Sequence, residues 1–145
     1  KFGWMATWSV PPGVGSSVAL RRLRRDGMVS GCHGTVHSTS VLRRFRAVRP
    51  GMRDPVSRIP RLDPNGFCPA LRAGTDALHG SHQALRPLHP YEDRVITPRE
   101  AARLQGFPDW FVFTPAKWHA FRQIGGSVSP IVAEALLRTL KRCLS

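Results

Sequence analysis

The chain has 145 residues, room for one domain or one domain with an extension, and a domain of that size removes about two-thirds of its unfolded surface from water. Its formal net charge is +13, and 19 of its 22 basic residues are arginine, whose planar fork suits phosphate and base edges. The three cysteines are odd in number and far apart, against a disulfide framework and for a reducing compartment, and no apolar run approaches the ~20 residues of a membrane span.

The charge is uneven. Residues 1–62 carry 12 Lys/Arg against 2 Asp/Glu, and residues 63–145 carry 10 against 7. A polyanion is the expected partner, nucleic acid ahead of membrane; a coding bias toward arginine is the competing source of the excess. The chain begins at Lys1 and shows no secretory signal, so a segment of a longer protein is expected.

Residues 1–30 form a basic extension without an assigned element. Trp4 and Trp8 lead into Pro11-Pro12-Gly13 and Gly15-Ser16-Ser17, and Arg21, Arg22, Arg24 and Arg25 follow. No Gly-Lys-Ser/Thr follows the glycines, which argues against a phosphate-cradling loop. In residues 31–62, His33 and His37 stand four apart near Cys32, but a structural zinc site needs four ligands and the next cysteine is Cys68. Ordinary loop histidines are expected, and no metal. Val41, Leu42, Phe45 and Val48 share one face of a short helix that Pro50-Gly51 ends.

Residues 54–96 carry turn signals at short intervals, among them Asp54-Pro55, Asp63-Pro64-Asn65-Gly66 and His89-Pro90. They predict short strands and ordered loops. At Thr97-Pro98 a helix begins: the threonine hydroxyl can accept a free N–H, proline fits the first position, and Glu100 can reach back. Ala101, Ala102 and Leu104 should face inward, and Gly106 and Pro108 end the helix. Phe107, Trp110, Phe111 and Phe113 read as a small core before they read as base-stacking groups. The Thr114-Pro115 pair predicts a second helix start of the same design, with Trp118, Phe121 and Ile124 on one side and Gly125-Gly126 at its end. Ser129-Pro130 opens a last amphipathic helix whose stripe is Val132, Ala135, Leu136, Leu140 and Cys143. The fold class expected is α+β: an irregular small domain of short strands and loops, then short capped helices and the amphipathic helix.

Three blocks of this sequence resemble the C-terminal part of DNA (cytosine-5)-methyltransferases of the bacterial kind. Thr97 to Asp109, TPREAARLQGFPD, is similar to the family's ninth conserved motif. Gln123 to Pro130, QIGGSVSP, is similar to the tenth, with Gly126 where Asn is usual. Arg61 to Thr75, RLDPNGFCPALRAGT, with Ser81 and Arg86 to Pro90, is similar to a target-recognition region, with Ala70 where Thr is usual. The resemblance implies a recognition region over 31–96 and C-terminal helices over 97–145 that rejoin a Rossmann-like domain binding S-adenosylmethionine. It implies DNA contact at Arg61, Arg72, Ala73, Gly74, Thr75 and Ser81, cofactor contact at Gly126, Ser127 and Val128, and a brace at Thr97, Arg99 and Glu100.

The family's catalytic cysteine lies in a Pro-Cys-Gln motif, whereas Cys32, Cys68 and Cys143 follow Gly31, Phe67 and Arg142. No catalytic residue is therefore assigned. The resemblance implies double-stranded DNA and a catalytic domain or separate catalytic subunit as partners, a restriction-modification setting, and a cytoplasmic, nucleoid-associated location. A split enzyme's DNA-binding subunit and a non-catalytic DNA-binding remnant are the alternatives.

Overall fold

The computed structural model describes residues 16–74 and 84–144. Five helices lie among them: α1 (Ser17–Asp26), α2 (Thr39–Arg46), α3 (Pro98–Leu104), α4 (Lys117–Gly125) and α5 (Pro130–Leu144). Among the described residues helices are the regular elements, and the short strands expected over residues 54–96 do not form there.

That departure has a backbone cause. Three extended pieces around Arg61, Leu88 and Val95 do run side by side: Leu62 N–H donates to the Leu88 carbonyl at 3.0 Å, and Ile96 N–H to that of Pro87 at 2.9 Å. Among the described residues pairing does not grow past isolated bridges, Arg53 with Pro60, Arg61 with Leu88, and Leu88 with Val95. Pro60, Pro64, Pro87 and Pro90 interrupt these pieces, and each removes a donor that a ladder needs.

The extension contains a helix that the sequence reading left out. Ser16 caps α1 by accepting from Ala19 N–H, and Gly27 closes it at φ 63°, its N–H donating to the Arg22 and Leu23 carbonyls. The helix α2 forms with Phe45 buried, and Val48, just past its C-cap at Ala47, is buried as well. The start of α3 is a full capping box: Thr97 accepts from Glu100 N–H, and the Glu100 carboxylate accepts from Thr97 N–H at 2.7 Å.

The second Thr-Pro start does not act in the same way. Ala116 occupies the cap of α4 and no side chain bonds there. Thr114 instead turns its N–H to the Gln123 side-chain oxygen at 3.2 Å. Two inward expectations also change. Leu104 lies on the exposed side of α3, and Trp118 is exposed, with the Arg122 guanidinium 4.9 Å from its ring centre and the His119 ring edge-on at 4.7 Å.

Two apolar clusters hold the chain. The larger joins Leu62, Ile96, Ala101, Ala102, Phe107, Phe121 and Ile124, with Phe111 and Phe113 packed at its edge. The aromatic run after α3 is thus core: the Phe107 ring centre lies 5.0 Å from those of Phe111 and Phe113. The smaller cluster gathers Phe45, Val48, Leu88 and Val95. His37 belongs beside it, edge-on to Phe45 at 5.2 Å, with Nε2 accepting from Val95 N–H. By contrast α5 buries no residue. Among the described residues no helix is long and apolar enough to cross a membrane.

Candidate functional site

The site is built on α3. Glu100 is held by its own cap and by Arg94, whose two terminal nitrogens donate to the two carboxylate oxygens at 2.8 Å each. Burial alone would raise the Glu100 carboxyl; the Arg94 hydrogen bonds and the Thr97 N–H outweigh it and hold the group at about 2. Arg94 is raised in return, chiefly by its bonds to Glu100 and Glu92.

Arg99 is 2 % exposed. Its fork ties two pieces of chain, Ser30 and the 108–111 turn, to α3. Nε donates to the Ser30 carbonyl at 2.8 Å, Nη1 to that of Pro108 at 3.2 Å, and Nη2 to that of Phe111 at 2.7 Å. Burial pulls the Arg99 guanidinium below its ordinary value, opposed by nearby Asp109. Asp109 itself accepts a two-pronged pair from Arg103 at 2.8 and 2.7 Å. A rigid platform results.

The Gln123–Pro130 segment is clamped to that platform from one side. Gln105 Nε2 donates to the Ser127 carbonyl at 2.9 Å. Gly106 sits at φ 89°, and a Cβ on it would fall 2.8 Å from Ile131 Cδ1 and 3.1 Å from Ser129 Oγ. On the other side lies the Arg72-Ala73 backbone. A Cβ on Gly125 would meet the Arg72 carbonyl carbon at 2.5 Å and the Ala73 nitrogen at 2.7 Å. The segment is therefore a joint between the platform and the 61–74 stretch, and glycine is needed there for closeness of approach.

Of the three residues expected to face a cofactor, Gly126 is exposed and touches Ala73, with 3.7 Å from its added Cβ to that side chain. The Ser127 hydroxyl donates to the Ile124 carbonyl at 2.7 Å. Val128 stands 66 % exposed. Together they offer a bare backbone face and one outward apolar side chain.

The 61–74 stretch lies beside a groove of about 870 Å³ lined by Arg53, Arg58, Arg72, Gly74 and Arg86, with Ile59 and Leu85 on its apolar wall. Arg72 is exposed there, and Ala73 and Gly74 are half-buried. Thr75 and Ser81 lie outside the described residues. Arg61 is elsewhere: it is 5 % exposed, and its Nη atoms donate to the carbonyls of His89, Glu92 and Phe45 and to Asp93. Arg53 and Arg58 were not among the expected contact residues. Their signal was the Asp54-Pro55 turn, which marks a loop but not where its arginines point.

Cys68 is half-buried, and burial pushes its thiol up, away from the thiolate that a nucleophile needs. Its Sγ donates to the Pro69 carbonyl at 3.3 Å.

The sequence profile of the C-5 cytosine-specific DNA methylases matches residues 22–142. The type II methyltransferase M.XorII of Xanthomonas oryzae pv. oryzae is 49 % identical over 109 residues, which are 75 % of this chain and 26 % of that protein. DNA (cytosine-5)-methyltransferase 2 of Arabidopsis thaliana is 54 % identical over 56 residues, 39 % of this chain and 4 % of that one. A crystal structure described as a prophage-encoded DNA modification methyltransferase of E. coli superposes with a TM-score of 0.81 at 52 % identity, covering 93 % of this chain and 35 % of that one. The chain spans about a quarter to a third of the bacterial relatives it matches.

Proposed function

The chain belongs to the C-5 cytosine-specific DNA methylase family, and we propose that it is the target-recognition and closing segment of such an enzyme, of the type II restriction-modification kind. Residues 31–96 present the DNA-facing surface, residues 97–145 brace it and return toward a catalytic domain, and residues 1–30 are a basic extension. One observation carries the reading. The Gln123–Pro130 joint is packed by Gly125 against Arg72-Ala73 and clamped by Gln105 to α3. The arginine groove and the outward face of Gly126–Val128 therefore share one wall, as recognition and methyl transfer on one base require.

S-adenosylmethionine supplies the methyl group when bound. The residues present fit one wall of its pocket: Gly126 has no Cβ to hold a ligand off the backbone, and Val128 gives an apolar contact. They supply no charge, so the charged groups of the cofactor need other walls. Arg72, Ala73 and Gly74 approach the duplex, and Arg99 and Glu100 fix the platform beneath them. Arg61 holds the base of the recognition stretch from within.

No cysteine here follows a proline, and the Cys68 thiol is raised. The purified chain with duplex DNA and labelled S-adenosylmethionine is expected to transfer no label. Adding a catalytic portion that carries the Pro-Cys-Gln motif should restore transfer. Label in DNA from the chain alone, or no restoration by any matched catalytic portion, would overturn the reading.

A further inference from the structure

The Asp54–Arg58 turn has a design that the recognition role of residues 61–74 does not account for. Asp54 is fully buried in an otherwise exposed loop. Its carboxylate accepts from Arg44 Nε at 2.8 Å, from Ser57 N–H at 2.6 Å and from the Ser57 hydroxyl. Burial would raise this carboxyl, but the Ser57 and Arg44 bonds outweigh it and lower it. The backbone closes around the same residue: Asp54 N–H donates to the Ile59 carbonyl at 2.8 Å, and Arg58 N–H to that of Asp54 at 2.9 Å. Arg58 is forced to φ 59°, the left-handed region, and no other non-glycine residue among those described adopts it.

The result is a rigid turn whose acid faces inward and whose two arginines line the outer groove. Arg53 and Arg58 are both exposed and share that groove with Arg72 and Arg86. No carboxylate lies among its described lining residues. Among the described residues no hydrogen bond holds the Arg58 guanidinium, whereas Arg53 Nη1 donates to the Arg58 carbonyl at 3.2 Å. Base reading requires a guanidinium fixed in a bidentate pose, while a phosphate accepts one from many directions.

We propose that the Asp54–Arg58 turn, with Arg53 before it, is a phosphate clamp: Arg53 and Arg58 grip the backbone of duplex DNA along the groove they share with Arg72, independently of sequence. This rests on the recognition reading above.

The test is binding of the full chain to two duplexes of unrelated sequence, measured across salt. Each lost phosphate contact lowers the slope of log K against log salt by about 0.9. Arg58→Gly should lower it by that amount on both duplexes, and Arg53→Gln with Arg58→Gly by about 1.8. Glycine suits the left-handed backbone, so Arg58→Gly should leave the melting midpoint unchanged or raise it, which separates lost contact from lost fold. An unchanged slope, or a change on one duplex only, overturns the clamp. If Arg72→Ala weakens binding while the turn variants do not, the clamp falls and the recognition reading stands. If the unaltered chain binds neither duplex, both fall.

Discussion

At the scale of single residues, arginine does two opposite jobs in this chain, and its type does not say which. Arg61 and Arg72 stand 11 positions apart in one block, yet Arg61 faces carbonyls inside and Arg72 faces solvent. Direction was set by which backbone oxygens the fold leaves in reach, and no local pattern encodes that. Arg99 is the strongest inward case. Arg99→Ala should cost about 3 kcal/mol or more, since it strands the Ser30, Pro108 and Phe111 carbonyls as well as opening a void. A urea midpoint that hardly moves would show that those carbonyls find water. Glu100 supplies a pH prediction. Its folded value of about 2 lies below the ordinary 4.5, so it stabilises above the unfolded value and loses that contribution as pH falls from about 4.5 through about 2. The melting midpoint should therefore drop across that window, and Glu100→Gln should remove this part of the drop. Equal acid sensitivity in both proteins would show that Glu100 is not the group concerned.

At the scale of elements, helix starts were legible where the side chain and the backbone agree. Thr97 with Glu100 has both parts of a capping box, with Pro98 at the first position, and it forms. Thr114-Pro115 lacks the acid three places on, and Lys117 stands at that place; the helix starts later, uncapped. Thr97→Ala should cost about 1 kcal/mol in unfolding free energy, and Thr114→Ala little. Equal losses would mean that the two starts are alike after all. The strands expected between residues 54 and 96 failed for a reason also written in the sequence: turn signals were read as strand boundaries when their prolines cut the ladders themselves. Gly125 shows a limit of another kind. Its φ is not in the left-handed region, so its need is for space against Arg72 and Ala73, which only the fold reveals. Gly125→Ala should push the 72–73 backbone away, costing about 1–3 kcal/mol. Faster amide exchange at residues 71–74 would locate the damage, and unchanged exchange there would mean that α4 moved instead.

At the scale of the whole molecule, the open feature is α5. Its apolar stripe is expected to need a partner surface, and among the described residues nothing buries it: Val132, Leu136, Leu137 and Leu140 are all more than half exposed. Its first turn is anchored where Ile131 lies against Gly106. Four exposed aliphatic side chains on one helix amount to a patch that a stable monomer rarely shows. The two bacterial relatives are nearly three times as long as this chain, so in the proposed reading the covering surface belongs to a catalytic domain. Burying one leucine is worth about 1.5–3 kcal/mol, enough for the face to seek any cover it finds. The isolated chain should therefore bind a hydrophobic dye or self-associate at micromolar concentration. Leu136→Glu with Leu140→Glu should abolish both while leaving the melting midpoint nearly unchanged, because neither side chain is buried. The same pair should weaken restoration of methyl transfer by an added catalytic portion. A dye-negative monomer, or full restoration with the glutamates in place, would show that α5 is not the face on which the catalytic domain closes.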